Sequence, residues 1–335
     1  MVRRGTGSPA RELAGCWRNR GAGFLALLLL AAWAALAAPG ARAAIPPEQD
    51  PFYRYEGKTS LKHIPPGTVL KTRTVSVHIE GIELPLTAVQ LLYRSTSELG
   101  KPTVNDPRKI QRTTRDMVAE LLIGIDGCRI PRISRQQAGT ELSVESLRAA
   151  LPQATSILAR PVGTHGGDDF DKIDGEDALA AYLAKPAGTD RYFIEYADYR
   201  SADGFFRKYR FIFVNGEVLP YHLAICDDWK VHHVNTDMAN QKWMQDEEAA
   251  FLTDPARVFN EAHYRALAEI QRRIGLEYFG IDCSVDTNGE LLVFEVNASM
   301  LVHDDNAEFP YKNPAVYRIK AAFDAMLARI AKSDG

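Results

Sequence analysis

The dipeptide Asn288-Gly289, set between two apolar runs, constrains this chain more than any other feature. Both residues accept positive φ, and Asn-Gly between such runs is the strongest short-range signal for a tight hairpin. A two-residue turn there places Asp282 opposite Glu295 and Gly280 opposite Asn297. Side chains alternate along a strand, so Asp282, Glu295 and Asn297 share one face, while Ile281, Cys283, Phe294 and Val296 point to the other, apolar one. Directly opposed residues hold their Cβ atoms roughly 4.5–5.5 Å apart, and like charges there destabilise the pair, so something positive is expected between the two carboxylates. Two carboxylates and an amide oxygen are hard ligands suited to Mg²⁺ or Mn²⁺. A different register, or a carboxyl pair sharing one proton, accounts for the same residues without a metal.

A second hairpin is expected at Asn215-Gly216. Its register puts Lys208 and Arg210 on one face with Tyr221 and Leu223, and Arg207, Tyr209 and His222 on the other. Two cations on one strand face suggest a charged ligand; a solvated strand is the plain alternative. A third element runs from Ile157 through Arg160 into Gly163, Thr164, His165, Gly166 and Gly167. Glycines let backbone N–H groups approach phosphate oxygens, and Arg160 adds a fixed charge beside them. The loop matches neither G-x-x-x-x-G-K-[ST] nor G-x-G-x-x-G, and an ordinary turn remains its alternative.

From residue 105 the chain reads as α+β. Ile110, Met117, Val118, Leu121 and Leu122 line one helical face. Short β-like segments at 128–134, 156–160 and 191–197 are separated by helical patterns at 143–150 and at 174–185, the latter opened by Asp174. Longer helices are expected at 256–274, stopped by Gly275, and at 315–331. With 335 residues the chain has room for two domains or one with appendages. Lys and Arg total 40 against 43 Asp and Glu, so no global charge attracts nucleic acid or anionic membrane. Cys16, Cys128, Cys226 and Cys283 form no CxxC pair, which argues against a zinc site or a disulfide scaffold.

The amino terminus has a different character. Arg3, Arg4, Arg11, Arg18 and Arg20 precede an apolar run from Phe24 to Ala38, Pro39-Gly40 ends it, and Ala41-Arg42-Ala43 supplies a small-x-small pattern. The run is shorter than the ~20 residues a membrane-spanning helix requires, so residues 1–44 read as a signal peptide and predict export, with an uncleaved anchor as the alternative. Beyond it, Pro51-Phe52-Tyr53, the stretch Pro66 to Arg73 and the stretch Pro85 to Arg94 resemble the first strands of secreted bacterial α/β-hydrolase lipases over about residues 45–104. Such a lipase uses a G-x-S-x-G elbow to project its serine, and the sequence contains none, so no catalytic residue is carried over.

Taken in order, Ile157 to Arg160 with the Gly163–Gly167 loop, Phe193-Ile194-Glu195-Tyr196, Lys208 with Arg210, and Gly280-Ile281-Asp282 followed by Phe294-Glu295-Val296-Asn297 resemble the ATP-grasp superfamily over about residues 105–330. The layout is similar to D-alanine-D-alanine ligases and glutathione synthetases. The resemblance implies two α+β subdomains, about 105–200 and 201–335, without the usual amino-terminal α/β domain and with a short β-rich extension before them. It implies ATP and Mg²⁺ or Mn²⁺ as cofactors. Arg160 and Gly163 to Gly167 would meet phosphates beneath a lid at 163–169, and Glu195 and Tyr196 the adenine. Lys208 or Arg210 would contact the γ-phosphate, while Asp282, Glu295 and Asn297 would hold the metal. Arg160 stands where the family usually has lysine, which keeps the charge and changes its geometry.

The implied chemistry activates a carboxylate as an acyl-phosphate for an amine or thiol. Small-molecule substrates are the expected partners, with no nucleic acid, and with a membrane met only during export. His222, His232, His233 and His303 are candidates for substrate contact, or ordinary hydrogen-bonded histidines. Trp229 and Trp243 are expected to pack. Val104-Asn105 is where the two resemblances meet and reads as a fusion seam. An exported non-catalytic remnant or binding protein is the alternative function; a secreted esterase is the third, disfavoured by the missing elbow. Export and ATP chemistry belong to different compartments, and the sequence leaves that conflict standing.

Overall fold

The computed structural model describes residues 104–162, 169–232, 235–298, 300–303 and 305–332. The signal peptide, nearly all of the lipase-like stretch, Gly163–Gly167 and His233 lie outside them. The strands are β1 (Cys128–Arg129), β2 (Ile133–Gln136), β3 (Ser156–Pro161), β4 (Asp171–Asp174), β5 (Arg191–Glu195), β6 (Phe206–Val214), β7 (Glu217–Cys226), β8 (Tyr278–Val285) and β9 (Leu291–Asn297). The helices are α1 (Pro107–Ile110), α2 (Arg115–Leu122), α3 (Val144–Ala150), α4 (Glu176–Leu183), α5 (Lys242–Thr253), α6 (Glu261–Ile274) and α7 (Asn313–Lys332). The strands form two sheets, a larger one in the order β1-β9-β8-β6-β7 and a smaller one in the order β2-β5-β3-β4. The described chain is therefore α+β.

The expected passage from one subdomain to the next at about residue 200 is not how the sheets divide. β1 pairs in parallel with β9, so residues before 130 already belong to the larger sheet. Val118 and Leu122 of α2 are buried in that sheet's main core. The chain then leaves for the small sheet and returns at β6. Asn105, at the supposed seam, is built into the larger body: its Nδ2 donates to Tyr278 O at 2.6 Å and to Ala298 O at 3.1 Å, and Tyr278 N donates to its Oδ1. Its φ of 62° is one that asparagine tolerates better than most residues.

Both Asn-Gly pairs form turns, but not the same turn. Asn215 and Gly216 have φ of 49° and 90°, and Val214 pairs with Glu217, as a two-residue hairpin requires. At the second, Val285 pairs with Leu291 and Asp286 N donates to Glu290 O, so Thr287, Asn288 and Gly289 all lie in the loop. The expected register is nonetheless met at Asp282↔Glu295 and Gly280↔Asn297. A bulge between Cys283 and Asp282 absorbs one residue on β9 and restores it. The same bulge brings Phe294 onto the side of Glu295, packed against the cluster of Tyr199, Phe206 and Leu292, and not onto the expected apolar face. A second bulge, in β7, shifts the pairing beyond Arg210, so Leu223 joins Tyr209 in the main core instead of sharing a face with Arg210.

Other boundaries moved for local reasons. Asp174 ends a strand that alternation did not reveal, and Gly175 is the residue that opens α4. Asn260 caps α6, accepting from Ala262 N and His263 N, and Gly275 closes it at φ 65°. Met117 is exposed where burial was expected. The main core lies on one face of the large sheet under α2, α5 and α6, around Tyr209, Phe211, Phe251 and Phe259, which meet edge-to-face or tilted. On the opposite face, α7 covers the end nearest the Asn215-Gly216 turn, with Val316, Ile319 and Met326 against Ile212, Val214 and Leu219.

β7 is an edge strand, and a buried carboxylate ties its flank. Glu248 of α5, fully buried, accepts from His222 Nδ1 at 2.5 Å, Leu223 N at 3.1 Å and the Tyr311 hydroxyl at 2.7 Å, with Lys312 Nζ at 3.0 Å. Burial pushes its pKa up, but the His222 bond and charge, Lys312 and the Tyr311 hydroxyl outweigh it and hold the group at about 2. The folded pKa lies below the ordinary 4.5, so the stabilisation is complete above that value and is lost as pH falls toward about 2. We expect about 3 kcal/mol of stability to disappear across that window. Thermal midpoints measured from pH 6 to pH 2 should show this loss, and Glu248→Gln should be less stable at pH 6 with a shallower acid slope.

Candidate functional site

The face of the large sheet opposite its main core carries a charged strip. Along β6 that face presents Phe206, Lys208, Arg210, Ile212 and Val214, and the ladder sets Arg210 beside Asp282 of β8. Phe206 belongs to one apolar cluster and Ile212 and Val214 to another. Lys208, Arg210, Asp282 and Glu295 occupy the gap between them. Alternation with apolar neighbours on both sides forces these four charges onto the same side of the sheet, which is why strands, rather than loops, hold them.

The contacts within the strip are short. Arg210 donates through Nε to Asp282 Oδ1 at 2.6 Å and through Nη2 to Oδ2 at 2.9 Å, a two-pronged arrangement. Lys208 Nζ lies 3.4 Å from Asp282 Oδ2. Asp282 is 3% exposed. Burial opposes its ionisation, yet the charges of Arg210 and Lys208 hold its carboxyl below the usual range. Glu295, directly opposite Asp282, accepts from Arg115 Nη2 of α2 at 2.5 Å. Each of the two acids thus has a guanidinium of its own, Arg210 on Asp282 and Arg115 on Glu295.

Asn297 is buried opposite Gly280, two positions along from the acids. A Cβ on Gly280 would sit 2.7 Å from Met300 Cβ, so the segment just after Asn297 closes directly over this glycine. Asp282, Glu295 and Asn297 are three hard oxygen donors brought to neighbouring ladder positions, which suits a divalent cation chemically. Among the described residues no group of three His, Cys, Asp or Glu side chains converges as a metal site. Asn297 would have to be the third donor, and the guanidinium bonds to both acids would have to yield.

The small sheet holds the remaining candidates. Arg160 is buried on β3, with its guanidinium 5.1 Å from the centre of the Phe170 ring. Glu195 ends β5, accepting from Arg129 Nη2 at 3.2 Å and from Arg132 N at 3.4 Å. Tyr196 lies between Lys172, 4.1 Å from its ring centre, and Trp229. Burial first, then nearby aspartates, push the Tyr196 hydroxyl up to about 12. Trp229 packs as expected, edge-on to Phe170 and Tyr196; Trp243, 40% exposed, meets Phe205. Of the candidate histidines, His222 is engaged by Glu248, and the backbone N–H of His303, whose side chain is exposed, donates to the Tyr221 hydroxyl.

Two arginines that sequence reasoning passed over join these parts. Arg129 of β1 reaches both Glu195 of the small sheet and Asp286 of the hairpin loop. Arg115 reaches Glu295, while its neighbour Asp116 accepts from the Tyr192 hydroxyl at 3.4 Å and lies 3.9 Å from Arg135. Nothing in local sequence marks these arginines, because each partner is at least 66 residues away.

No protein-family model matches the chain. A stretch of 57 residues, 17% of the chain, is 46% identical to a probable inactive lipase of Mycobacterium tuberculosis (strain CDC 1551 / Oshkosh), and the match spans 12% of that protein. In structure the chain is similar to ATP-grasp ligases. The ligase PsnB, solved with a precursor peptide and AMPPNP, matches 72% of this chain and 70% of its own at 16% identity and a TM-score of 0.45. The D-alanine-D-alanine ligase of Coxiella burnetii matches 74% of this chain and 65% of its own at 11% identity and a TM-score of 0.46. That of Bacillus anthracis, complexed with ATP, matches 73% and 75% at 13% identity and the same TM-score.

The Arg210–Asp282 pair has a measurable weight. Removing one member of a buried ion pair leaves the other desolvated and uncompensated, so Arg210→Ala should cost about 3 kcal/mol in denaturant unfolding. The double variant with Asp282→Ala should cost less than the two single changes added together, by about 1–3 kcal/mol.

Proposed function

We propose that this chain is an ATP- and Mg²⁺-dependent ligase that activates a carboxylate as an acyl-phosphate for attack by an amine or thiol. The observation that carries the reading is the opposition of Asp282 and Glu295 on the sheet face that also presents Lys208 and Arg210. Acids for a divalent cation and cations for an anion, held side by side on rigid strands, are the parts that phosphoryl transfer requires. The order of these residues along the chain, after a basic strand and a glycine-rich stretch, adds support.

In this reading Asp282, Glu295 and Asn297 hold Mg²⁺, which neutralises phosphate charge when bound. Lys208 and Arg210 bind and orient the γ-phosphate. Arg160 and the Gly163–Gly167 loop bind the remaining phosphates, and Glu195 and Tyr196 meet the adenine. A substrate carboxylate oxygen attacks the γ-phosphorus and ADP leaves. The amine or thiol then attacks the acyl carbon, loses its proton and expels phosphate. The chain's own contribution is positioning and charge, with no covalent intermediate on a side chain.

A binding protein without turnover is the second reading, favoured by the bonds that Arg210 and Arg115 make to the two acids. Thermal melting decides between nucleotide binding and none. Mg-ATP should raise the midpoint by several degrees, Mg²⁺ alone should not, and Glu295→Gln should abolish the rise. An unchanged midpoint with Mg-ATP at millimolar concentration sinks the proposal; a shift without ADP release from any carboxylate and amine pair favours the second reading.

A further inference from the structure

The charged strip contains more positive charge than the acidic pair can balance. Lys208 and Arg210 face Asp282, and Arg115 faces Glu295, so among the described residues these ion pairs join three cations to two carboxylates. The Arg115–Glu295 pair is partly withdrawn from water, at 19% and 18% side-chain exposure. At that depth a charge-assisted bond is strong, yet the remaining exposure leaves the carboxylate reachable. Arg115 is also held from behind. It begins α2, and Asp116 beside it meets the small sheet at Tyr192, 3.4 Å away, and Arg135, 3.9 Å away. The long side chain can therefore change partner without its helix moving.

We propose that Arg115 is a built-in competitor for the divalent cation. Its guanidinium neutralises Glu295 when no cation is bound. It gives way when one binds and turns to an anionic group of the ligand. This rests on the ligase reading, because it presupposes a cation at Asp282 and Glu295, and it adds a role for a residue that the reading does not use. Charge arithmetic makes the exchange selective. A divalent ion added to three cations and two acids leaves the strip at +3, so a cation alone is poorly held. A cation arriving with a polyphosphate such as ATP, at about −4, brings the strip close to neutrality. Arg115 thereby couples cation binding to anion binding.

The test is Mn²⁺ binding followed by electron paramagnetic resonance on the full chain, with the melting temperature measured in parallel. Replacing Arg115 removes the competitor, so Arg115→Gln should bind Mn²⁺ alone about tenfold more tightly than the wild type. Arg115→Gln should melt lower than the wild type without metal, and Mn²⁺ should raise its midpoint more, because the ion takes the guanidinium's place. Arg115→Lys keeps the charge but loses the planar fork, and should show a smaller gain of about threefold; it carries the test if Arg115→Gln does not fold. Equal Mn²⁺ affinity in wild type and both variants, with binding still abolished by Glu295→Gln, makes Arg115 a structural residue and overturns the proposal while the ligase reading stands. If no variant binds Mn²⁺, alone or with ATP, the metal reading fails and this proposal falls with it.

Discussion

The two-pronged bond between Arg210 and Asp282 is the interaction on which the arrangement of this molecule turns. A carboxylate only 3% exposed, lodged between two apolar clusters, would be untenable without a cation on the next strand. With Arg210 as its ladder neighbour, the charge is compensated and the register of β6 on β8 is fixed at the same time. A slip of one residue would turn Arg210 toward Phe251 and Phe259 and expose Phe211. The charged strip and the aromatic core are two sides of one alignment, and neither could be changed without the other.

The small sheet depends on a different kind of contact. It meets the larger body through individual side chains, among them Arg129 to Glu195, Asp116 to Arg135, and Lys230 Nζ to Phe170 O at 3.3 Å. Each is an electrostatic or hydrogen-bonded link of modest individual strength, joined by the edge-on contacts of Trp229 with Phe170 and Tyr196, in contrast to the continuous apolar packing around Phe211 and Phe279. Pairing of this kind aligns without locking. Through Arg129 it places Glu195 within the same network as the hairpin loop at Asp286.

How much of this was legible in the sequence depended on range. The Asp282–Glu295 opposition followed from turn chemistry and a period of two, and the ladder has it. It emerged by two compensating irregularities: the turn holds one residue more than Asn-Gly alone suggests, and β9 bulges by one. Neither is encoded in alternation. The bulge in β7 had no such compensation for Leu223, whose face was misassigned. β4 stayed hidden because Asp171 to Asp174 has too few apolar residues to show a pattern. The partners of Arg115 and Arg129 were out of reach, since ion pairs across the fold leave no periodic trace. Asp174 looked like a cap and proved to be the end of a strand, because a capping residue and a strand terminus share the same extended backbone.

The hairpin bulge also fits the acids to their own tip. Beyond Phe294 the alignment of Glu295 rests on the ladder from Gly280 to Asp282 and on the extra residue of the bulge, which offsets the extra residue of the loop. A change of length at Thr287 to Gly289 would leave that offset unmatched, and the tip is itself held, with Gly289 O 2.8 Å from His263 Nε2 and Asp286 beside Arg129. Turn and bulge are cut to match, so neither end of this twenty-residue ribbon can be re-cut without the other.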